Sequence, residues 1–523
     1  MKKKTDQPLR EDLDNFYKRK ALLKDENRPH AVAKRHTKGY RTTRENIADL
    51  CDEDSFLEIG SLIIAGQRGR KTEQELQQQT PADGLVAGIG SINGHLFDEE
   101  SSQCFVLSYD YTVLAGTQGG FNHKKTDRAL QQAHQAQKPV IFFVEGGGGR
   151  PGDVDFIPVT VGGLDLNTWV LYAKLSGQVP RIAIVNGYCF AGNAAIAGCA
   201  DVIIATKSSS LGMGGPAMIE GGGLGRFHPR EIGPANTQAT NGVIDILVED
   251  EAEAVQKAQQ YLSYFQGNTS DWTAADQLAL RELVPENRKF AYNIHTIIEQ
   301  LCDEDSVLEL RAQFAKNMVT ALVRIEGRPM GLMANSTRHL GGAIDSDAAD
   351  KASRFLQLCD AFGLPVLSLC DAPGFMVGPQ HEATALVRHS SRLFVTGANI
   401  SVPLLTIVLR KAYGLGAMAM AGGSFHQSFL SVAWPTAEFG AMGLEGAVKL
   451  GFKKELEQAN SEEERKALYE HLLQEVYRKG QAINAASALE FDEVIDPADT
   501  RKWIKRALAT VPSSASRRPV DAW

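Results

Sequence analysis

The hydrophobic and polar positions of this chain follow one order of predicted elements, and that order occurs twice. Residues 42–50 (TTRENIADL) and 293–301 (NIHTIIEQL) place apolar side chains at helical spacing. Each segment runs into a nonapeptide that differs from its copy at one position, LCDEDSFLE at 50–58 and LCDEDSVLE at 301–309. Asp and Ser favour turns, so each copy predicts a helix end followed by a short strand.

The similarity extends well beyond the nonapeptide. Residues 125–140 (KTDRALQQAHQAQKPV) and 351–366 (KASRFLQLCDAFGLPV) each predict a helix that ends before Pro-Val and a buried strand. The segments VPRIAIVNGYCFAGNAA from 179 and VPLLTIVLRKAYGLGAM from 402 each predict a strand, a glycine-rich turn and an Ala/Gly-rich helix. Alternating strands and helices predict an α/β fold, and the repeat predicts a tandem duplication with its junction near 275–290.

Composition and charge narrow the possible functions. Of 523 residues, 43% are hydrophobic and 23% charged, and the net charge of −8 provides no basic field for nucleic acid. The seven cysteines contain no C-x-x-C pair, which argues against a zinc ribbon, and we expect no metal in this chain. The first 20 residues, MKKKTDQPLREDLDNFYKRK, lack the apolar core of a signal peptide, so we expect a cytoplasmic protein.

Two further segments carry expectations about structure. Residues 182–200 (IAIVNGYCFAGNAAIAGCA) are long and apolar enough for a membrane span. However, a β-rich start followed by Asn-Gly predicts a buried strand, a turn and a helix instead. The last residues, PSSASRRPVDAW, are expected to be loose.

The candidate chemistry lies in glycine-rich stretches at strand exits. Four such stretches occur: EGGGGRPGD (145–153), YCFAGNAA (188–195), LGMGGPAMIEGGGLG (211–225) and YGLGAMAMAGG (413–423). Without a Cβ, glycine lets a substrate oxygen approach the backbone, and amides at a helix start can point at one anion. Matched turns in two halves predict two oxyanion holes, for a thioester enolate and for a ureido ring that has lost its carboxyl group; plain turns or tight packing are the alternative.

Other glycine and catalytic motifs do not account for the pattern. Gly147, Gly149 and Gly152 formally match G-x-G-x-x-G, but Pro151 and an acidic segment follow where a dinucleotide-binding helix should begin. The chain contains no P-loop, no H-E-x-x-H, no G-x-S-x-G and no Ala-Met-Lys-Met for biotin attachment.

The stretch VNGYCFAGNAAIAGCADVIIA resembles the crotonase superfamily, which builds oxyanion holes for acyl-CoA thioesters. More specifically, both halves resemble the carboxyltransferase subunits of biotin-dependent acyl-CoA carboxylases. The matching stretches are TPADGLVAGIGSING (80–93), GGGGR (146–150), DAPGF (371–375), VPLLTIVLRKAYG (402–414) and VAWPTAEFGAMGLEGAV (432–448). The likeness covers residues 30 to 511.

The resemblance implies two tandem crotonase-like (ββα superhelix) domains from an internal duplication. Residues 1–285 would receive acyl-CoA, and residues 286–523 of the opposing subunit would receive carboxybiotin. It also implies a homo-oligomer, dimer to hexamer, with its active site at the dimer interface. The partners would be the biotin carboxylase and the biotin carboxyl carrier subunit.

The family's site residues carry over position by position. The first oxyanion hole corresponds to Ala191 and Gly192, and the second to Gly416 and Ala417. The family often has Gly-Gly at the first pair. Its propionyl-type members have Tyr-Gly-Gly-Ala-Tyr-Asp at the second turn, where this chain has YGLGAM without the Asp associated with short-chain selectivity, so the acyl chain length stays open. The implied acyl-CoA-binding residues are Gly147, Gly148, Gly149, Arg150, Lys124 and Lys125, with the three cations facing CoA phosphates; solvated surface charges are the alternative for these cations. The implied biotin-binding residues are Gly414, Tyr413 and His426; core packing is the alternative for the last two side chains.

The mechanism that the resemblance implies needs no catalytic dyad. Carboxybiotin loses CO2 near the second hole, biotin takes the α-proton of the thioester, and the resulting enolate attacks the CO2 while the protein supplies position and fixed dipoles. Three alternatives remain: the carboxyltransferase subunit of a biotin-dependent decarboxylase, a biotin-independent hydratase or isomerase, and an inactive scaffold. The hydratase would need an acid or base near Gly192, where the helix start contains no Glu.

Overall fold

A computed structural model describes residues 9–156, 161–512 and 514–523. The chain divides into two compact units between Ser263 and Tyr264. The sequence places the boundary later, at 285/286, and the first eight residues of its N-terminal domain lie outside the described residues. The segment after 263 belongs to the second unit because Leu280 and Val284 are buried in that unit's core.

A seven-stranded sheet and a separate pair of short strands form the first unit. The strands are β1 (Leu57–Ile59), β2 (Leu85–Ser91), β3 (Gln103–Tyr109), β4 (Val140–Phe143), β5 (Arg181–Val185), β6 (Tyr188–Phe190), β7 (Val202–Thr206), β8 (Ser210–Gly212) and β9 (Ile246–Val248). The large sheet has the order β1-β2-β3-β4-β5-β7-β9, antiparallel as far as β3 and parallel from there on. β6 pairs in parallel with β8. Helices cover the parallel strands, whose side chains form a continuous apolar core.

The helices of the first unit alternate with these strands. They are α1 (Glu11–Ala21), α2 (Pro29–His36), α3 (Thr43–Leu50), α4 (Glu73–Gln79), α5 (Glu99–Ser102), α6 (Gly120–Ala136), α7 (Thr168–Lys174), α8 (Gly192–Gly198), α9 (Pro216–Gly221), α10 (Ala235–Thr240) and α11 (Glu251–Ser263). The apolar segment 182–200 forms β5, β6 and α8, which confirms the predicted strand, turn and helix. In the part of the chain that the structure describes, no helix is long and apolar enough to cross a bilayer.

The second unit repeats the pairing pattern of the first. Its strands are β10 (Leu308–Leu310), β11 (Met318–Ile325), β12 (Arg328–Asn335), β13 (Val366–Ala372), β14 (Leu404–Tyr413), β15 (Leu430–Ala433), β16 (Glu438–Gly440) and β17 (Glu493–Val494). The order β10-β11-β12-β13-β14-β15-β17 again has two antiparallel pairings followed by parallel ones, and β16 pairs with β14. The helices are α12 (Leu280–Leu283), α13 (Ile294–Leu301), α14 (Ser346–Phe362), α15 (Pro379–Glu382), α16 (Leu386–Asn399), α17 (Gly414–Met420), α18 (Leu444–Gly451), α19 (Lys453–Glu457), α20 (Glu462–Lys479), α21 (Ala482–Ser487) and α22 (Thr500–Thr510).

The repeated nonapeptide performs the same task in both units. It ends α3 in the first unit and α13 in the second, as its turn residues predict. The carboxylate of Asp52 accepts a hydrogen bond from Gly94 N at 2.9 Å, in the connection between β2 and β3. The carboxylate of Asp303 accepts one from Gly327 N at 2.7 Å, between β11 and β12. The copy is therefore a helix stop whose aspartate also holds a strand connection.

The C-terminal residues are docked on α14 and α16, so the expected loose end is wrong. Arg392 on α16 pairs with Asp521 at 2.7 Å. The indole Nε1 of Trp523 donates to Asp350 Oδ2 on α14 at 3.1 Å, and its ring lies 5.6 Å from that of Phe314. The contacts that hold this segment come from side chains far away in the sequence.

Candidate active site

The first predicted turn lies between β6 and α8. Ala191, the residue before the helix, has φ 54° and ψ −122°, a conformation that is costly for any residue with a Cβ. Its N–H donates to Gly212 O on β8 at 3.2 Å. The N–H of Gly192, by contrast, has no acceptor among the described residues. Of the predicted pair of donors, Gly192 fits the role and Ala191 does not, because its amide is already used.

A second free amide comes from the glycine loop after β4. Gly148 N donates to the side-chain Oδ1 of Asn193 at 2.9 Å, so Asn193 is a satisfied buried amide that ties this loop to α8. A Cβ added to Gly148 would lie 2.7 Å from the Cβ of Ala191 and 3.5 Å from Gly192 N, which measures how closely the loop approaches the helix start. Gly147 N has no acceptor within the described ranges. Gly147 and Gly192 therefore offer free amides on two segments in contact.

A cavity of about 700 Å³ adjoins Gly192. Its wall includes Gln118, His123, Arg150 and Trp169. A Cβ at Gly192 would come 2.2 Å from Gln118 Oε1 and 3.0 Å from Trp169 Cζ2, so only glycine fits there without displacing a neighbour. Gln118, His123 and Trp169 were not predicted from the sequence, because no local motif marks them and Trp169 comes from a different segment.

Arg150 lies at this cavity, but its guanidinium is occupied. It bonds Asp83 Oδ1 at 2.6 Å, Asp153 Oδ1 at 3.3 Å and the carbonyl oxygen of Thr117 at 2.9 Å. The side chain is 4% exposed. The predicted role of Arg150 as a partner for CoA phosphate does not fit this geometry, because two carboxylates already neutralise its charge and an approaching phosphate would have to displace them.

The two predicted lysines on α6 differ in whether their ammonium group is accessible to a phosphate. Lys125 is buried, its Nζ donates to Leu85 O, and burial lowers the pKa of this lysine to about 8. It cannot reach a phosphate from there, so its predicted role is also corrected. Lys124 is exposed, with its Nζ 5.5 Å from the centre of the Phe121 ring, and stays available for an anionic ligand.

The second predicted turn joins β14 to α17. Gly414 has φ 55°, and a Cβ there would lie 2.8 Å from Ala441 O, so this position requires glycine. A Cβ at Gly416 would lie 2.6 Å from Gly374 Cα, in the DAPGF segment. Gly416 N has no acceptor in the described part of the chain, and Ala417 beside it is buried. The second turn thus repeats the close backbone approach of the first, with Gly416 as its free amide.

The side chains predicted for the biotin side are divided between cavity and core. A cavity of about 570 Å³ is lined by Gly414, Ala417 and His426 among others. The His426 Nε2 lies 3.0 Å from Leu489 O. Tyr413 is buried, and its hydroxyl donates to Glu438 Oε2 at 2.7 Å; burial raises the pKa of this tyrosine strongly. Tyr413 does not line the cavity, so its structural position is that of a core residue beneath the turn.

Sequence comparison identifies the family of this chain. The carboxyl transferase domain family matches residues 34–520. The chain belongs to the carboxyltransferase subunits of biotin-dependent acyl-CoA carboxylases. Like its relatives in this family, it is an enzyme of the acyl-CoA carboxyltransferase kind.

Several relatives are similar over nearly their whole length. The methylmalonyl-CoA carboxyltransferase 12S subunit of Propionibacterium freudenreichii subsp. shermanii is 33% identical over 500 residues, 93% of this chain and 92% of that protein. The propionyl-CoA carboxylase beta chain of Roseobacter denitrificans is 30% identical over 525 residues, 98% of each chain. The long-chain acyl-coenzyme A carboxylase beta4 subunit of Mycobacterium tuberculosis is 31% identical over 514 residues, 95% of this chain and 94% of that protein.

Two solved structures match the fold of this carboxyltransferase. A single-chain, multi-domain long-chain acyl-CoA carboxylase has 55% sequence identity and a TM-score of 0.91, over 96% of this chain. This chain spans about half of that protein, 49% of its length. The transcarboxylase 12S hexamer, solved with methylmalonyl-coenzyme A, has 30% identity and a TM-score of 0.83, over 97% of this chain and 96% of that one.

Proposed function

We propose that this carboxyltransferase moves a carboxyl group from carboxybiotin, held by a partner carrier, to the α carbon of an acyl-CoA. The observation that carries the proposal is the free amide of Gly192 at the cavity of the first unit. A second free amide, that of Gly147, lies on the glycine loop that contacts this helix start. Membership of the carboxyltransferase family supports carboxyl transfer to an acyl-CoA.

The two units would be crotonase-like domains related by duplication. The identical succession of antiparallel and parallel pairings in the two sheets supports this relation, as do the matched hydrogen bonds of Asp52 and Asp303. The first unit would take acyl-CoA, and the second unit would take carboxybiotin. The hexamer of the 12S relative supports a homo-oligomer, in which the two kinds of unit meet across a subunit boundary.

The chain contributes charge stabilisation at two oxygens. The amides of Gly147 and Gly192 would donate to the thioester oxygen as it becomes negative, and the Gly416 amide would donate to the ureido oxygen. Carboxybiotin would supply the carboxyl group, and the biotin left after its loss would supply the base for the α-proton. Removing one preorganised donor of this kind typically costs about 2.7–4 kcal/mol of transition-state stabilisation. The missing Cβ at Gly192 and Gly416 lets Gln118 and Gly374 pack directly against the two turns, which fixes the position of each amide.

The decisive test is the reverse reaction with free biotin. Purified protein should decarboxylate malonyl-CoA or methylmalonyl-CoA slowly, and the rate should depend on added biotin. Gly416→Ala, whose Cβ would meet Gly374 at 2.6 Å, should lower the biotin-dependent rate about 100-fold or more. Gly451→Ala at the end of α18, where the new Cβ would meet nothing within 4 Å, should leave it unchanged. Equal rates with and without biotin would refute the proposal and favour the biotin-independent alternative.

A further inference from the structure

His123 lies on the first turn of α6 and is held by a chain of hydrogen bonds. Its Nδ1 lies 2.8 Å from Thr168 Oγ1, and Thr168 Oγ1 donates to Asp127 Oδ1 at 2.5 Å. A threonine hydroxyl has a single proton, and an ionised carboxylate only accepts. Since Thr168 uses that proton on Asp127, its oxygen accepts from His123, and the imidazole proton is on Nδ1. The other nitrogen, Nε2, therefore carries a lone pair.

The lone pair of Nε2 is presented to the cavity beside Gly192. The imidazole lines that cavity, and its ring centre is 5.3 Å from that of Trp169. Nε2 has no partner among the residues that the structure describes. Burial, with the charge of Arg150 nearby, lowers the pKa of His123 to about 4, so the ring is neutral at physiological pH. A neutral ring in this tautomer is a fixed hydrogen-bond acceptor.

The surroundings define the group that this acceptor fits. The Nε2 lone pair accepts a hydrogen bond, so it does not bind an ionised carboxylate or phosphate, which only accept. The ligand must therefore supply a hydrogen-bond donor. Acyl-CoA and biotin each contain uncharged N–H groups: the amides of the pantetheine arm and the ureido group.

We propose that His123 Nε2 accepts a hydrogen bond from an uncharged substrate N–H at the Gly192 cavity, either a pantetheine amide or the biotin ureido group. This inference rests on the proposed function, because that function brings these ligands to the cavity. His123 is then a binding residue that positions the substrate, with Thr168 and Asp127 fixing its tautomer. It does not act as a base, since an imidazole with a pKa this low takes up protons poorly at neutral pH.

The test compares three variants on the same helix. His123→Leu removes the acceptor, His123→Gln supplies an amide oxygen in its place, and His134→Leu changes an exposed histidine of α6 as a control. Dissociation constants for CoA and for biotin are measured separately by titration calorimetry. The KM for malonyl-CoA and the KM for biotin are measured in the decarboxylation assay.

We expect His123→Leu to weaken the binding of one ligand about 10- to 100-fold, because the N–H of that ligand would be buried without a hydrogen-bond partner. The maximal rate should change less than about threefold, His123→Gln should recover most of the binding, and His134→Leu should match the wild type. A change confined to CoA places the donor on acyl-CoA, and one confined to biotin identifies the ureido group.

Three results would overturn the inference. One is unchanged binding of both ligands in His123→Leu. Another is a loss of maximal rate with unchanged KM, which would indicate a base. The third is a loss of binding that His123→Gln does not recover, which would indicate a structural role. A wild-type protein without biotin-dependent turnover would instead refute the proposed function, and the calorimetric constants would still test His123.

Discussion

Replacing Gly192 by alanine tests the first oxyanion hole most directly. The added Cβ would lie 2.2 Å from Gln118 Oε1 and 3.0 Å from Trp169 Cζ2, whereas ordinary contacts begin at 3.4 Å. Gln118 cannot swing away freely, because its Nε2 donates to the Tyr109 hydroxyl at 2.9 Å. Relieving the contact therefore moves the helix start or the cavity wall by about 1 Å. A misplacement of about 1 Å can cost roughly 100-fold in rate, close to 2.7 kcal/mol.

The assay for this variant is biotin-dependent decarboxylation of malonyl-CoA, followed as kcat/KM. We expect Gly192→Ala to lose about 100-fold, with a melting temperature within a few degrees of the wild type. Gly198→Ala, at the other end of the same helix, adds a Cβ that meets nothing within 4 Å and should keep full activity. If Gly192→Ala retains more than a tenth of wild-type kcat/KM, the close packing of Gln118 and Trp169 on Gly192 does not set the position of a catalytic donor.

Two further predictions concern stability. Ala191→Gly should relieve the strained φ of 54°. Once the larger entropy that glycine loses on folding is subtracted, the unfolding free energy should rise by about 1 kcal/mol without loss of activity. A lower melting temperature would contradict this. Lys125 has a pKa of about 8 in the folded chain, below its unfolded value of 10.5, so the unfolded state binds more protons between pH 8 and 10.5, and stability rises with pH in that window. Lys125→Met should therefore be more stable than the wild type by up to about 3 kcal/mol below pH 8. The difference in melting temperature should shrink as the pH approaches 10. A difference that does not change with pH would refute the reasoning.

The order of elements and the positions of both glycine turns could be predicted from the sequence alone. Helical and strand periodicity report local backbone preference, and the Asn-Gly of segment 182–200 marks a turn wherever the segment lies. The duplicated LCDEDS peptides predicted helix ends at Leu50 and Leu301, and the structure confirms both. The prediction of a loose C-terminal end was wrong because Trp523 donates a hydrogen bond to Asp350 on α14. No local sequence pattern connects these two residues.

The roles of individual site residues depended on the tertiary fold. The sequence predicts the same donor role for Ala191 and Gly192. In the fold, Gly212 O on β8 accepts the amide of Ala191, and the amide of Gly192 stays free. From the sequence alone, Arg150 and Lys125 were interpreted as surface cations. In the fold, Arg150 forms an ion pair with Asp83, and Lys125 is buried.

Sequence by itself determined the α/β architecture, its internal repeat and the places where the backbone turns with glycine. The tertiary structure decided which N–H groups stay free, which charges are neutralised and which imidazole nitrogen faces the cavity. The physical reason is that backbone conformation follows from neighbours along the chain, whereas a hydrogen-bond partner or an ion pair comes from strands and helices tens of residues away. Parallel strands bring such distant segments to one edge of a sheet, and the partners they meet there are set by packing.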